Sequence, residues 1–153
     1  MATATLTSVS VEQALRTLQS DYAVFYQKLR TYHWTVRGQQ FFLLHEQFEK
    51  LYQHAADAQD SLAERLVTLD LQPAKTLKDQ LATARLKEDS TSPDANSMIR
   101  NVLSDLTSLN QSLRELARQA SQTSDVTTLN LADGIADGNE KTMWMLRALL
   151  NKQ

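Results

Sequence analysis

The sequence predicts an all-α chain folded as a four-helix bundle with a long connection between the second and third helices. Apolar residues recur at steps of three and four along most of the 153 residues, and the chain has only three glycines and two prolines. Both prolines, Pro73 and Pro93, fall between residues 70 and 94, a polar stretch that divides the chain into two halves. A chain of this length buries one core, so we expect a single domain over residues 10–153.

The first helix is predicted to begin near residue 10 and to end near Gly38. Residues 1–9 are small and uncharged and are expected to form a flexible N-terminal tail. Ser10 and Gln13 suit a capping box at the start of the helix, and Gly38 suits the left-handed turn that ends it. The predicted apolar face consists of Val11, Leu15, Leu18, Tyr22, Phe25, Leu29 and Val36.

The second helix is predicted over about residues 40–68. It follows a very short turn, so the first two helices should be antiparallel neighbours. Residues 75–84, within the long connection, contain enough helix-forming residues for one short extra helix. The core face of the second helix should consist of Phe41, Leu44, Phe48, Leu51, Ala55, Ala58, Leu62, Leu66 and Leu69.

The third helix is predicted to begin with Ser92 as its N-cap and Pro93 at its first position. The fourth helix is predicted to start at about Asp125. Their apolar faces should be formed by Ile99, Leu103, Leu106, Leu109, Leu113, Leu116 and Ala120, and by Leu129, Ala132, Ala136, Met143, Leu146 and Leu150.

The tripeptide Ala-Asp-Gly occurs twice, at residues 132–134 and 136–138. Each glycine costs a helix ~1 kcal/mol relative to alanine, so one interpretation is a cation-binding loop. Because both copies fall within the helical period, we favour a helix with a small-residue face for close packing.

Composition excludes several classes of protein. The net charge is −2, which gives no general attraction to nucleic acid or to a membrane surface. The absence of cysteine excludes disulfides, zinc ribbons and iron–sulfur ligation. No signal-peptide pattern and no apolar run of ~20 residues is present, so we expect a cytoplasmic protein without a membrane segment.

Two imidazoles and three carboxylates fall within 32 residues, at His33, His45, Glu49, Asp60 and Glu64. Imidazole and carboxylate together suit Fe(II), Zn(II) and similar divalent ions. On a helix, His45 and Glu49 share a face, and so do Asp60 and Glu64, so each pair can present two ligand atoms to one ion.

Each of these pairs is only half a metal site. Along one helix, His45 and Asp60 are about 22 Å apart, whereas a coordination bond spans ~2 Å. A second copy of the helix, laid antiparallel about Tyr52 and Gln53, would bring His45 of one chain opposite Asp60 of the other. The spacing therefore predicts a two-fold dimer with two metal sites shared across its interface.

A rival metal site is conceivable within one helix, because His54, Asp57 and Asp60 follow one another at steps of three. Such a charged series is more often a solvated helix face.

The same residues carry a resemblance to a known family. The run H-W-x-V-x-G-x-x-F-x-x-L-H-x-x-F-E-x-x-Y covers residues 33–52, and D-x-x-A-E-R covers residues 60–65. The segment Asn-Glu-Lys-Thr-Met-Trp-Met-Leu at residues 139–146 is similar to the family pattern H-E-K-x-x-W-x-L. From about residue 11 to 150 the chain resembles the Dps family, the miniferritins named as DNA-binding proteins from starved cells, which implies a ferritin-like bundle.

The resemblance also implies an activity. His33 and His45 of one subunit, with Asp60 and Glu64 of its two-fold mate, would bind iron, and Glu49 would bridge or hold a second, weaker ion. Other divalent ions such as Zn²⁺ would also fit these ligands. The family oxidises Fe(II), preferably with hydrogen peroxide, and stores the ferric mineral inside a hollow dodecamer. Trp34 would supply an electron when only one iron is bound.

The chain departs from the family pattern at a few positions. Asn139 replaces the usual histidine, and Asp70 stands where glycine is common. In the family, an acidic three-fold pore near the start of the fourth helix admits iron. Asp125 is a candidate for that pore, and Asn130 stands where an aspartate is often found.

Two other classes of function are open to a chain of this kind. A non-enzymatic nucleoid protein would compact DNA, but phosphate contacts need basic residues. The first one is Arg16, and only Arg147 and Lys152 lie near the C-terminus, so we expect no DNA binding through the termini. A purely structural assembly module would explain the bundle but not the four ligands, and metal titration would separate it from a ferroxidase.

Overall fold

The computed structural model describes the backbone of residues 2–151 and the side chains of residues 11–151. Within these residues every regular element is a helix and there is no strand, so the predicted fold class is confirmed. The helices are α1 (Ala2–Thr35), α2 (Phe41–Thr68), α3 (Leu77–Thr83), α4 (Ala95–Gln122) and α5 (Val126–Leu150). The short extra helix predicted in the long connection is α3.

The four long helices enclose one apolar core. α1 packs along α2, α4 packs along α5, and α1 also contacts α4 and α3, whereas α2 touches α5 only slightly. The predicted apolar faces supply the core: Leu15 and Leu29 of α1, Leu44 and Leu62 of α2, and Leu109 of α4 are completely buried. None of the helices in the described part of the chain is both long and apolar enough to cross a membrane.

The start of α1 differs from the prediction. The helix begins at Ala2 instead of Ser10. No glycine or proline interrupts the first 35 residues, so nothing in the chain ends the helical backbone at Ser10. The side chains of residues 1–10 lie outside the described part of the chain. The capping box at Ser10 and the flexible tail over residues 1–9 therefore stay predictions.

The start of α4 also differs, by two residues. Its N-cap is Asp94, whose carboxylate accepts a hydrogen bond from the Ser97 backbone N–H at 2.8 Å. Ser92 and Pro93 precede the cap and are not part of the helix. A carboxylate at the cap interacts more strongly with the positive end of the helix than a hydroxyl does, which favours Asp94 over Ser92. The predicted start of the last helix is confirmed, because Asp125 caps α5.

Two helices end in a left-handed residue that is not glycine. At the end of α2, Asp70 has φ 59°, its N–H bonds the Val67 carbonyl, and the Leu71 N–H bonds the Leu66 carbonyl. Ser124, with φ 59°, closes α4 by the same pair of hydrogen bonds. These are Schellman motifs, in which the left-handed position favours glycine. The positive φ of Asp70 therefore makes this a position that glycine would suit.

Buried polar side chains of α1 hold the long connection in place. The Gln19 side-chain amide donates to the Ala74 carbonyl at 3.0 Å and accepts from the Ala74 N–H at 2.9 Å. The Asp21 carboxylate accepts the N–H groups of Arg85 at 2.6 Å and Leu86 at 2.9 Å. Burial raises the pKa of Asp21, and these two hydrogen bonds only partly oppose it. The connection is therefore an ordered part of the fold.

The two Ala-Asp-Gly repeats lie inside α5, so they form a helix and not a cation-binding loop. Among the described residues, the expected close packing of their glycines is not found. A Cβ added at Gly134 or Gly138 would meet no atom within 4 Å. Both glycines border an open groove of about 440 Å³, which Tyr22 and His54 also line.

Candidate metal centre

His33 and His45 lie against each other where α1 turns into α2. His33 is in the last turn of α1 and His45 is in the first part of α2. The turn between them contains Gly38 at φ 111°, a conformation in which a side chain would be strained. The two imidazole rings are stacked with their centroids 3.8 Å apart. Each ring donates its Nδ1–H to the backbone carbonyl of the other residue, at 2.7 Å in both cases.

These hydrogen bonds decide which ring nitrogen of each histidine can bind a metal. A carbonyl oxygen only accepts, so the proton must be on Nδ1, and Nε2 of the neutral ring carries a lone pair. Within the described residues, neither Nε2 makes a hydrogen bond. Metal-binding histidines have this arrangement, with the second ring nitrogen held by a carbonyl or carboxylate.

Two aromatic side chains support the imidazole pair. Phe41 stacks on His45 with the ring centroids 5.1 Å apart, and Tyr52 meets His33 edge-on at 5.4 Å. From the sequence, Phe41 is predicted only as a core residue and Tyr52 only as a residue near the two-fold axis. The spacing of Phe41 four residues before His45 was a signal for the first contact, because such pairs meet on a helix.

The three carboxylates lie at different distances from His45 along α2. Glu49 is one turn beyond His45 and half-buried, and the Tyr52 hydroxyl donates to its Oε1 at 3.5 Å. Asp60 and Glu64 are exposed and lie near the other end of α2, about 22 Å and about 28 Å from His45 along the helix. Neither carboxylate has a hydrogen bond or ion pair within the described residues.

The structure therefore brings the two histidines together but keeps Asp60 and Glu64 away from them. Across residues 11–151, no three metal-binding side chains of the chain form a cluster. The rival set of His54, Asp57 and Asp60 likewise does not converge. His54 and Asp57 face the groove beside α5, whereas Asp60 is not on its lining.

Trp34 follows the first histidine and is 56% exposed. The guanidinium of Arg30 lies over its ring, 4.9 Å from the centroid, and also over Tyr26 at 5.2 Å. Tyr26 in turn meets Tyr52 edge-on, with ring centroids 5.7 Å apart. Of these three oxidisable rings, Tyr52 is the one that contacts an imidazole, and Arg30 lies over the other two.

Comparisons with known proteins place this bundle in a family. Residues 12–153 match the family model described as a ferritin-like domain. The chain is 39% identical to general stress protein 20U of Bacillus subtilis, over 90% of this chain and 95% of that protein. It is 37% identical to the DNA protection during starvation protein of Brevibacillus brevis, over 86% of this chain and 88% of that protein. The chain belongs to the Dps family of ferritin-like proteins.

Solved structures of Dps proteins have the same fold. The crystal structure of the Vibrio cholerae protein, described as a member of a superfamily of ferritin-like diiron-carboxylate proteins, superposes with a TM-score of 0.91. It is 34% identical and covers 95% of this chain and 92% of its own. A Dps protein from Bacillus brevis, also 34% identical, has a TM-score of 0.88 over 98% of both chains. The resemblance read from the sequence is thereby confirmed.

The asparagine that departs from the Dps pattern has a structural role away from the histidines. The side-chain amide of Asn139 donates to the Tyr22 hydroxyl and to Asn110 Oδ1, both at 2.9 Å. It therefore joins α5 to α1 and α4 through buried polar groups. Burial raises the pKa of the Tyr22 phenol to about 12, so that it stays neutral at physiological pH.

The two candidate pore residues differ in their surroundings. Asp125 Oδ1 accepts from the Thr128 N–H at 3.1 Å and from Arg65 at 2.8 Å, so this carboxylate joins the start of α5 to the end of α2. Burial opposes its ionisation, but the hydrogen bonds from Thr128 and the charge of Arg65 outweigh burial and lower its pKa. Asn130 is exposed one turn further along α5. Their role in a pore stays a prediction.

Proposed function

We propose that this protein is a ferroxidase that oxidises Fe(II) at sites shared between two-fold-related subunits. One observation carries the proposal. Two histidines are held with both Nε2 atoms free, while Asp60 and Glu64, two exposed carboxylates of α2, have no partner among the described residues. An antiparallel mate would supply His33 and His45 to one side of each site and Asp60 and Glu64 to the other.

The proposed ligands suit the chemistry of iron. Neutral imidazole and carboxylate bind Fe(II), and additional negatively charged oxygen stabilises Fe(III) as it forms. The Nδ1 hydrogen bonds fix the two rings before the metal arrives, which reduces the ordering that binding requires. Zn²⁺ is expected to compete for the same ligands, because it binds imidazole and carboxylate as well.

Glu49 is the proposed ligand of a second, weaker iron. It lies one turn from His45 and accepts a hydrogen bond from Tyr52, whose ring contacts His33. With two Fe(II) ions at one site, hydrogen peroxide takes one electron from each and is reduced to water. No hydroxyl radical is released in a step of this kind.

Storage and protection follow from the family. We propose that twelve chains close into a hollow shell that holds the ferric mineral, and that removal of Fe(II) and peroxide protects DNA. The names of relatives as DNA protection during starvation proteins support this assignment.

Subunit mixing tests whether the sites are shared. A His33→Ala/His45→Ala chain and an Asp60→Ala/Glu64→Ala chain should each be inactive alone. When equal amounts are dissociated and reassembled, half of the dimers are mixed and each has one intact site, so about a quarter of the wild-type Fe(II) oxidation should return. Stopped-flow absorbance of Fe(III) after peroxide addition measures the recovery.

A matched control is Glu46→Ala/Asp57→Ala, which removes two exposed carboxylates of α2 outside the proposed site and should retain activity. Light scattering of each assembly should give a mass near twelve times 17.3 kDa. Hybrids of that mass with no recovered oxidation would falsify the shared site, and a monomeric wild-type protein would contradict both the shared site and the shell.

A further inference from the structure

We propose that Tyr52, and not Trp34, supplies the second electron when only one iron occupies a site, and that Glu49 takes the phenolic proton. The inference rests on the proposed ferroxidase function. It concerns the state in which one Fe(II) meets peroxide and a second electron must come from the protein if hydroxyl radical is not to form.

Tyr52 is placed for this transfer in two respects. Its ring meets the ring of His33 edge-on at a centroid distance of 5.4 Å, so only one van der Waals contact separates the phenol from a proposed iron ligand. Its hydroxyl donates to Glu49 Oε1 at 3.5 Å, so a carboxylate lies on the path of the proton. A phenol loses its electron far more readily when a base accepts the proton at the same time.

Trp34 has the opposite surroundings. Oxidation of an indole first places a positive charge on the ring, and the Arg30 guanidinium already lies over that ring at 4.9 Å. A cation on the ring face favours the neutral aromatic and opposes a charged one. The contact therefore makes Trp34 harder to oxidise.

The same cation confines the radical. Tyr26 meets Tyr52 edge-on at 5.7 Å and would be the next ring along the path, but Arg30 also lies over Tyr26, at 5.2 Å. Electron loss from Tyr26 is thus opposed in the same way. The oxidised centre should stay on Tyr52, beside the iron site.

The electrons and protons of the step balance. One Fe(II) becomes Fe(III) and gives one electron, and Tyr52 gives the second electron and becomes a neutral phenoxyl radical. Its proton passes to Glu49 and stays there, the O–O bond of hydrogen peroxide breaks, and two water molecules form with two protons from solvent. The next Fe(II) to arrive returns an electron to the phenoxyl, and Glu49 returns the proton.

Glu49 makes the step conditional on how much iron is bound. When a second iron binds Glu49, the carboxylate no longer accepts a proton and the second iron supplies the electron. When only one iron is present, Glu49 is free and the phenol can be oxidised. The protein radical should therefore form only at low iron loading.

Rapid-freeze electron paramagnetic resonance tests the assignment. The assembled protein is mixed anaerobically with less than one Fe(II) per site and then with equimolar hydrogen peroxide. Wild-type protein should show a neutral tyrosyl radical, recognised by narrowing of the signal after growth on ring-deuterated tyrosine. Tyr52→Phe keeps the aromatic ring and should lose this signal, whereas Trp34→Phe should keep it. Tyr26→Phe is the matched control and should also keep it.

A tyrosyl signal that survives in Tyr52→Phe, or that disappears in Trp34→Phe, overturns the assignment, and so does a wild-type protein without a radical. Wild-type oxidation of Fe(II) at two ions per site is measured in parallel. If that oxidation occurs without a radical at low loading, only the role of Tyr52 fails. If no Fe(II) is oxidised under either condition, the proposed function fails as well.

Discussion

At the scale of single residues, two residues other than glycine have a strained backbone with positive φ. Asp70 and Ser124 each close a long helix in the left-handed region with φ 59°. That region costs an L-residue roughly 1–2 kcal/mol, and glycine avoids this cost. Aspartate tolerates the conformation better than serine because its side chain can hydrogen-bond locally.

Replacing either residue by glycine should stabilise the protein. We expect Asp70→Gly and Ser124→Gly each to raise the free energy of unfolding by about 0.5–1 kcal/mol, with the larger gain at Ser124. Urea unfolding followed by circular dichroism at one fixed protein concentration measures this. Gln122→Gly, at an exposed helical position two residues away, should instead lose about 1 kcal/mol. Destabilisation by both of the first two substitutions would contradict the argument from φ.

At the scale of elements, the long connection depends on polar side chains of α1 that are far away in sequence. Asp21 accepts two backbone N–H groups from Arg85 and Leu86, and Gln19 pairs with both polar atoms of the Ala74 peptide. Buried N–H groups without a partner destabilise a fold by about 1–3 kcal/mol each. These contacts, more than its own apolar residues, fix the path of the connection.

We therefore expect Asp21→Leu to lower the free energy of unfolding by about 1–3 kcal/mol, because two partly buried N–H groups lose their acceptor. Asp21→Asn retains an oxygen that accepts both bonds and should lose less than about 1 kcal/mol. Hydrogen exchange should show faster exchange at the amides of Arg85 and Leu86 in the leucine variant only. Equal stability of the two variants would show that the carboxylate oxygen is not an anchor.

The junction between α2 and α5 should depend on pH. The pKa of Asp125 is lowered from 3.8, so its ionised form stabilises the fold above that pH and the contribution is lost as pH falls through the lower folded value. Asp125→Asn keeps a helix cap but loses the charge beside Arg65. It should be about 1–2 kcal/mol less stable than the wild type at pH 7.

The difference in stability between Asp125→Asn and wild type, measured at lower pH, tests whether the charge of Asp125 is its cause. The gap between Asp125→Asn and wild type should narrow as pH falls below about 4, where the wild-type carboxyl gains its proton. Asp57→Asn, at an exposed site on α2, should differ from wild type by less than about 0.5 kcal/mol throughout. An undiminished gap in acid would mean that packing, and not charge, makes Asp125 important.

At the scale of the whole molecule, the net charge favours protection of DNA by removal of Fe(II) and peroxide over protection by DNA binding. Each chain has a net charge of −2, and an oligomer multiplies that charge into a surface that repels phosphate. The first basic residue is Arg16, already within α1. Residues 1–15 contain no basic residue, so this segment makes no ion pairs with the DNA backbone.

We expect gel shifts at ~150 mM salt to show little retention of plasmid DNA. The wild-type protein should nevertheless reduce nicking of the plasmid by Fe(II) and hydrogen peroxide, because it removes both reactants. His33→Ala/His45→Ala should protect much less, although its surface charge is almost unchanged. Tight binding that weakens steeply with salt would reveal a basic patch on the folded surface and contradict this account.

Local patterns in the sequence were sufficient to predict the helices and the family. Apolar periodicity, which depends on neighbours three and four residues apart, predicted the long helices and most of their core residues, but it missed Tyr32, Met98 and Val102. The sequence signal for the helix cap at Asp125 was also local, and the cap was predicted correctly. Where two local signals competed, as at Ser92 and Asp94, the prediction was wrong by two residues. The histidines and carboxylates were selected from their residue types and spacing alone.

The contacts that these residues make could be seen only in the folded chain. The mutual Nδ1 hydrogen bonds of His33 and His45 require a particular turn angle at Gly38, and no sequence pattern specifies that angle. The anchors of the connection join residues more than fifty positions apart, and the Asn139 junction with Tyr22 spans 117. The open groove beside Gly134 depends on the distance between α2 and α5, which the packing of all four long helices sets. Periodicity describes one helix face at a time, so contacts between distant faces had to be seen in the folded chain.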